Sequence, residues 1–127
     1  MRIEASGLTH VGMKRTHNED SLGLLPDHML FLVADGMGGH ASGEVASRMC
    51  IETIASFFKM TARDENATWP YKEEKTLRFD ENRLVAGIKW SNRRIFEAQY
   101  QNPKYKGMGT TIVSAFFTSN GAYLGHV

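Results

Sequence analysis

Cysteine is nearly absent: Cys50 stands alone among 127 residues. No internal disulfide can form, and a reducing, cytoplasmic setting is the expectation. Long apolar runs are missing too. No stretch approaches the roughly eighteen apolar residues that a membrane-spanning helix needs, and Met1-Arg2-Ile3-Glu4 opens no basic-then-apolar leader. Nor is there an excess of one charge. Lys and Arg number 15 against 14 Asp and Glu, for a net charge of +1. That leaves no electrostatic footprint for nucleic acid or an anionic membrane, so neither is expected as a partner. Repeats and low-complexity tracts are also absent. What remains, 42% apolar and 23% charged, is ordinary for a globular chain of one core.

Residues 2–11 partly alternate apolar and polar, which predicts a half-buried strand. A second strand fits 19–25, ended by Pro26-Asp27. Met29 to Ala34 is a short, nearly continuous apolar run before Asp35-Gly36, and predicts a buried strand. The glycine-rich stretch Asp35-Gly36-Met37-Gly38-Gly39-His40 reads as a loop. From Gly43 the period changes. Ala46, Cys50, Ile54 and Phe57 recur at helical spacing, with Glu44 in the first turn, where the helix dipole favours an acid. This helix is expected to reach about Lys59, and residues 61–79, broken by Trp69-Pro70, read as a connection. Leu84, Ile88, Ser91 and Ile95 form the stripe of a second helix over 80–100, stopped by Asn102-Pro103. Residues 110–117 then predict a strand, Ser119-Asn120-Gly121 a hairpin turn, and 122–127 its return. Clustered strands joined by short turns argue for an antiparallel sheet with helices packed against it.

Three constellations could carry chemistry. In Arg15-Thr16-His17-Asn18-Glu19-Asp20, a guanidinium can hold two phosphate oxygens in its fork, and the adjacent carboxylates suit a divalent cation or its waters. Read blandly, the same run is a solvated loop before a strand. In Asp35-Gly36-Met37-Gly38-Gly39, an acid ends a buried strand, where its charge is costly unless compensated. A hard metal ion would compensate it, and glycine would let a backbone carbonyl join as a ligand. The bland alternative is an Asp-Gly turn. A nucleotide cradle is disfavoured, because neither G-x-G-x-x-G nor the P-loop pattern occurs and no lysine follows. The third constellation, Gly107-Met108-Gly109-Thr110-Thr111, is by itself only a turn into a strand.

In order, Arg15-x-x-Asn18-Glu19-Asp20, Leu32-Val33-Ala34-Asp35-Gly36-Met37-Gly38-Gly39, Gly43-Glu44-Val45-Ala46-Ser47 and Gly107-Met108-Gly109-Thr110-Thr111 make the chain resemble the N-terminal part of the metal-dependent type 2C protein serine/threonine phosphatases. The likeness runs from about residue 6 to 127, and the Asp-Gly-Met-Gly-Gly form is similar to the bacterial branch.

The resemblance implies an α+β fold, an antiparallel β-sandwich flanked by antiparallel helices, of which residues 1–127 supply the first part of one domain. It implies hydrolysis of phosphoserine and phosphothreonine in proteins, the products of serine/threonine kinases, by water activated at a pair of Mn²⁺ or Mg²⁺ ions. On that pattern Asp35 bridges the metals and Gly36 offers its carbonyl, while Glu19 and Asp20 act at or just beyond the metal and Arg15 binds the substrate phosphate. Met37 departs from members with a histidine there, since a thioether cannot transfer a proton. His40 nearby reads as a helix-entry residue, and His10, His17, His28 and His126 as structural. The family's later Gly-Asp-Ser-Arg motif and two further metal-binding aspartates are not in this sequence. The 127-residue chain is therefore expected to be nearly inactive alone, and either to associate, by pairing at an open sheet edge or exchange of elements, or to pack loosely. The rival reading is a non-catalytic module that binds a partner or phosphopeptide.

Overall fold

Period-2 alternation in one central strand sets the plan of the molecule. The computed structural model describes residues 2–13, 18–39, 42–63, 69 and 71–127. Strand β1 (Asp20–Leu25) leads through a 3-10 turn at Pro26–His28 into β2 (Leu30–Met37). Helices α1 (Ser42–Arg63) and α2 (Phe79–Gln101) follow, then β3 (Gly109–Thr110), β4 (Val113–Thr118) and β5 (Gly121–His126). The strands form one antiparallel sheet in the order β1-β2-β4-β5, with β3 on the far end of β2. Along β2, Leu30, Leu32, Ala34 and Gly36 are buried, while Val33, Asp35 and Met37 are exposed.

The buried row meets the helices. Ala46, Cys50, Ile54 and Phe57, the stripe legible in the sequence, are buried against Leu30, Leu32, Ala34 and Phe116 together with Phe58, Leu84 and Ile95. Each fully buried large side chain contributes about 1.5–3 kcal/mol. Phe58 meets Phe116 edge-on at 4.9 Å, and Phe57 meets Trp69 at 5.4 Å and Trp90 at 6.0 Å. Cys50 lies in this core, and burial pushes its thiol pKa up.

The α+β class and the antiparallel pairing are as the resemblance implied, but among the described residues helices cover only one face of one sheet. The other face exposes Leu24, Val33, Val113 and Leu124, the last by 80%. Three further expectations need correction. Residues 2–13 join no strand ladder. Alternation creates an amphipathic strand only beside an edge that takes its hydrogen bonds; here Gly7 instead passes against Leu22 and Leu24, and Leu8 is exposed. Next, Asp35-Gly36-Met37 is not loop but the end of β2, because Thr110 and Gly109 pair with Gly36 and Met37. Finally, the strand expected over 110–117 is interrupted at Thr111 and Ile112.

Sequence reading also passed over two buried polar residues of α2. The Asn82 side chain accepts from the Glu74 amide at 2.9 Å and donates to the Glu74, Leu77 and Arg78 carbonyls, tying the connection to the helix start. Arg83 donates to the Phe58 carbonyl and the Thr61 hydroxyl, both at 3.0 Å, with its guanidinium 4.5 Å from the Phe58 ring centre. Burial pushes the Arg83 pKa below its ordinary value, partly opposed by Asp80. These donors serve the last turns of α1. Arg83→Met keeps the apolar stem and deletes them, so it should lower the unfolding free energy by about 1.5–3 kcal/mol, the worth of hydrogen bonds to a charged group. A urea midpoint equal to the parent's would show that water serves these groups as well.

Candidate active site

The strand pairing β1–β2 places Asp20 directly across from Asp35. Side chains of directly opposed residues share a face, with Cβ atoms about 4.5–5.5 Å apart. Asp35 is exposed at the end of β2, and Asp20 is half-buried at the start of β1. Two facing carboxylates disfavour each other, and a hard cation among their oxygens removes that cost.

Glu19 goes the other way. In the same register it faces Gly36, whose amide donates to the Glu19 carbonyl at 3.1 Å. Alternation turns its side chain to the helix side of the sheet. There its carboxylate rests against the first turn of α1: a Cβ on Gly43 would stand 2.7 Å from Glu19 Cδ and Oε1. A Cβ on Gly36 would fall on the Gly43 carbonyl and 2.8 Å from the Glu19 oxygen. Only glycine at both positions lets β2, α1 and Glu19 meet this closely. The neighbours Glu19 and Asp20 thus serve opposite faces of one strand end.

The backbone of Asp35 is fixed from β3–β4. Thr111 donates its amide to the Asp35 carbonyl at 2.9 Å, and its hydroxyl oxygen accepts from the Asp35 amide at 3.3 Å. On the other strand, the Asn18 carboxamide oxygen accepts from the Asp20 amide at 3.1 Å, fixing the entry to β1. Nothing in the sequence alone joined Thr111 to Asp35.

These oxygens fit Mn²⁺ or Mg²⁺ in kind, since both favour carboxylate, carbonyl and water donors. In number they are few. Among the described residues no three acidic, histidine or cysteine side chains converge on one point. Arg15, His17 and His40 lie outside the described residues. A groove of about 390 Å³ between α2 and the β3–β4 region, lined by Ser91, Ile95, Phe96, Met108 and Ile112 among others, contains none of the predicted site residues. The candidate site lies instead at the sheet's end, with Asp35 exposed and Asp20 half-buried among the described residues.

The sequence profile described as protein phosphatase 2C matches residues 7–127. The serine/threonine phosphatase Stp of Listeria welshimeri is 31% identical over 132 residues, a match that takes in 98% of this chain and 47% of that protein. The crystal structure of the serine/threonine phosphatase PstP/Ppp of Mycobacterium tuberculosis superposes with a TM-score of 0.69 at 31% identity, over 93% of this chain and 43% of that one. A catalytic domain of PstP in complex with 2 manganese ions gives a TM-score of 0.69 at 32% identity, over 93% of this chain and 44% of its own. The chain spans about half the length of the curated relatives it matches.

The Gly36–Gly43 contact yields a direct test. Gly36→Ala puts its new carbon against backbone, which cannot rotate away, and should cost roughly 3 kcal/mol or more or prevent folding. Among the described residues nothing lies within 4 Å of a Cβ on Gly39, so Gly39→Ala should change stability by no more than about 0.5 kcal/mol. Thermal melts of the two variants check this; equal melts would mean that β2 and α1 can separate at little cost.

Proposed function

The chain belongs to the protein phosphatase 2C family, and on that premise we propose that it supplies the N-terminal part of a metal-dependent enzyme that hydrolyses phosphoserine and phosphothreonine in proteins. The observation that carries the reading is the facing pair Asp20 and Asp35 beside the glycine-lined strand end at Gly36. Asp35, Asp20 and the Gly36 carbonyl would hold Mn²⁺ or Mg²⁺ on the outer face. Glu19, turned to the helix side, would act through water. Arg15 would clamp the substrate phosphate with its guanidinium fork. When bound, two such divalent ions lower the pKa of an attacking water and offset charge on the phosphoryl oxygens. The side chains here position and neutralise, and Met37, 58% exposed beside the site, offers no proton. The substrates would be phosphoproteins made by serine/threonine kinases. A cytoplasmic setting belongs to the same proposal, supported by the single reduced thiol, Cys50, within the core.

One observation favours a second reading, a non-catalytic phosphopeptide-binding module: among the described residues the carboxylates at the site are too few to cage two ions. Mn²⁺ and a generic aryl phosphate separate the two. The 127-residue chain should turn over near the blank and show no tight Mn²⁺ site by isothermal titration. Joined in frame to the later half of the Listeria relative, it should gain Mn²⁺-dependent hydrolysis, and Asp35→Asn should abolish nearly all of it. A fused protein that folds yet stays inactive, or an Asp35→Asn variant within a few-fold of its parent, would sink the enzymatic reading.

Self-association is part of the proposal. The strands β1 and β5 are the sheet's edges, and the uncovered face exposes Leu24, Val33, Val113 and Leu124. Open edges template pairing, and such a face is an association surface. Sedimentation of the 127-residue chain at micromolar concentration should show concentration-dependent dimers or larger species. A monodisperse monomer with one sharp cooperative melt would contradict this.

A further inference from the structure

We infer that Thr111 is a positioning residue for Asp35, its hydroxyl standing in for a backbone carbonyl in the strand ladder. The inference rests on the reading of Asp35 as a metal-holding carboxylate. It arises from an irregularity in the pairing. Val33 pairs with Val113, and Gly36 with Thr110. Both pairs keep one register, so Asp35 stands opposite Thr111 with no residue inserted between. In a regular antiparallel ladder such a pair exchanges two N–H···O=C bonds. Only one is made here, from the Thr111 amide to the Asp35 carbonyl at 2.9 Å. The return bond from the Asp35 amide goes to Thr111 Oγ1 at 3.3 Å. The Thr111 carbonyl is turned elsewhere and accepts from the Thr110 hydroxyl at 2.8 Å. On the other side of the same strand, Ile112 continues the β4–β5 register and exchanges backbone bonds with Val127, at 3.1 and 3.0 Å, so the irregularity is confined to the side facing β2.

The ladder between β2 and the strand carrying Thr111 is therefore irregular only at the residue where β2 presents its carboxylate, and it resumes at Gly36 and Thr110. A side-chain hydroxyl can take a backbone donor at such a break. Thr111 does so 76 positions away from Asp35 in sequence. Thr111 is exposed and packs no core, so burial does not account for its chemistry. Valine has the same branched shape and lacks the acceptor. The hydroxyl also lies within donating distance of the Asp35 carbonyl, at 3.4 Å; with valine the Asp35 amide would rely on water, and only the bond from the Thr111 amide would tether the carboxylate's backbone to this side.

The test uses the 127-residue chain and Mn²⁺ alone, followed residue by residue through paramagnetic broadening of amide resonances, which registers weak binding. In the parent, the resonances of Asp35 and Gly36 should broaden first. Thr111→Val should need about tenfold more Mn²⁺ for the same broadening and should speed hydrogen exchange at the Asp35 amide. Thr111→Ser, which restores the hydroxyl, should stay within about twofold of the parent on both. If Thr111→Val does not fold, Thr111→Ala is read the same way. A valine or alanine variant that broadens at the parent's Mn²⁺ concentration, while Asp35→Asn does not broaden, overturns the inference and leaves the reading of Asp35 standing. A parent chain that shows no selective broadening at Asp35 and Gly36 overturns that reading, and the inference with it.

Discussion

The close approach of β2 to the first turn of α1, carbon against carbonyl at Gly36 and Gly43, is the constraint on which the rest of this structure depends. It brings the helix down onto the strand at the strand's last buried position. From there α1 runs back over the sheet, and Ala46, Cys50, Ile54 and Phe57 fall over Leu30, Leu32 and Ala34. A methyl group at either glycine would lift the helix start, and with it the alignment of that whole row. The same contact leaves no room beneath the strand end for anything except Glu19, whose carboxylate fills the space that a Cβ on Gly43 would need. Core and candidate site thus meet at one point.

From this follows the division of the sheet into two faces of different character. The helix side is closed by large apolar side chains, with buried Arg83 and Asn82 satisfied by α1 and by the connection before α2. The outer side is a row of exposed apolar residues, Val33 and Val113 among them, that ends in the facing pair Asp20 and Asp35. On the proposed reading, the metal-holding carboxylates stand at the rim of this apolar floor.

Much of this was legible in the sequence, and what was not has physical causes. The helix stripes could be read because buried positions three and four apart lie on one face whatever surrounds them. Residues 2–11 misled, because alternation states only that a strand would be amphipathic, not that an edge awaits it. The Asp35-Gly36 pair looked like a turn. It remains strand because Thr110 and Gly109, distant in sequence, pair there, and no local pattern reports such a partner. Glu19 and Asp20 were given one shared role, although period 2 already sends neighbours to opposite faces once the strand is known to begin there. The helix-facing polar residues Asn82 and Arg83 were invisible because their burial is set by groups on α1 and on the connection. Thr110-Thr111 carried the family resemblance but no chemistry of its own until the structure set Thr111 beside Asp35.

Asp35 also shows why a site at an exposed strand end leans on backbone more than on packing. A buried side chain is aimed by its neighbours, which leave it few rotamers. An exposed carboxylate has no such walls, so its direction follows from the peptide that carries it. That peptide is held on both sides: the Gly36 amide bonds to the Glu19 carbonyl, and the Asp35 carbonyl and amide bond to the Thr111 amide and hydroxyl. The first bond ties Asp35 to the strand that carries Asp20, and the others to the strand that leads into β4. Two loop-flanked segments, distant in sequence, therefore fix one residue. Sequence segments that look unrelated can belong to one site for that reason: they share a backbone junction rather than a pocket.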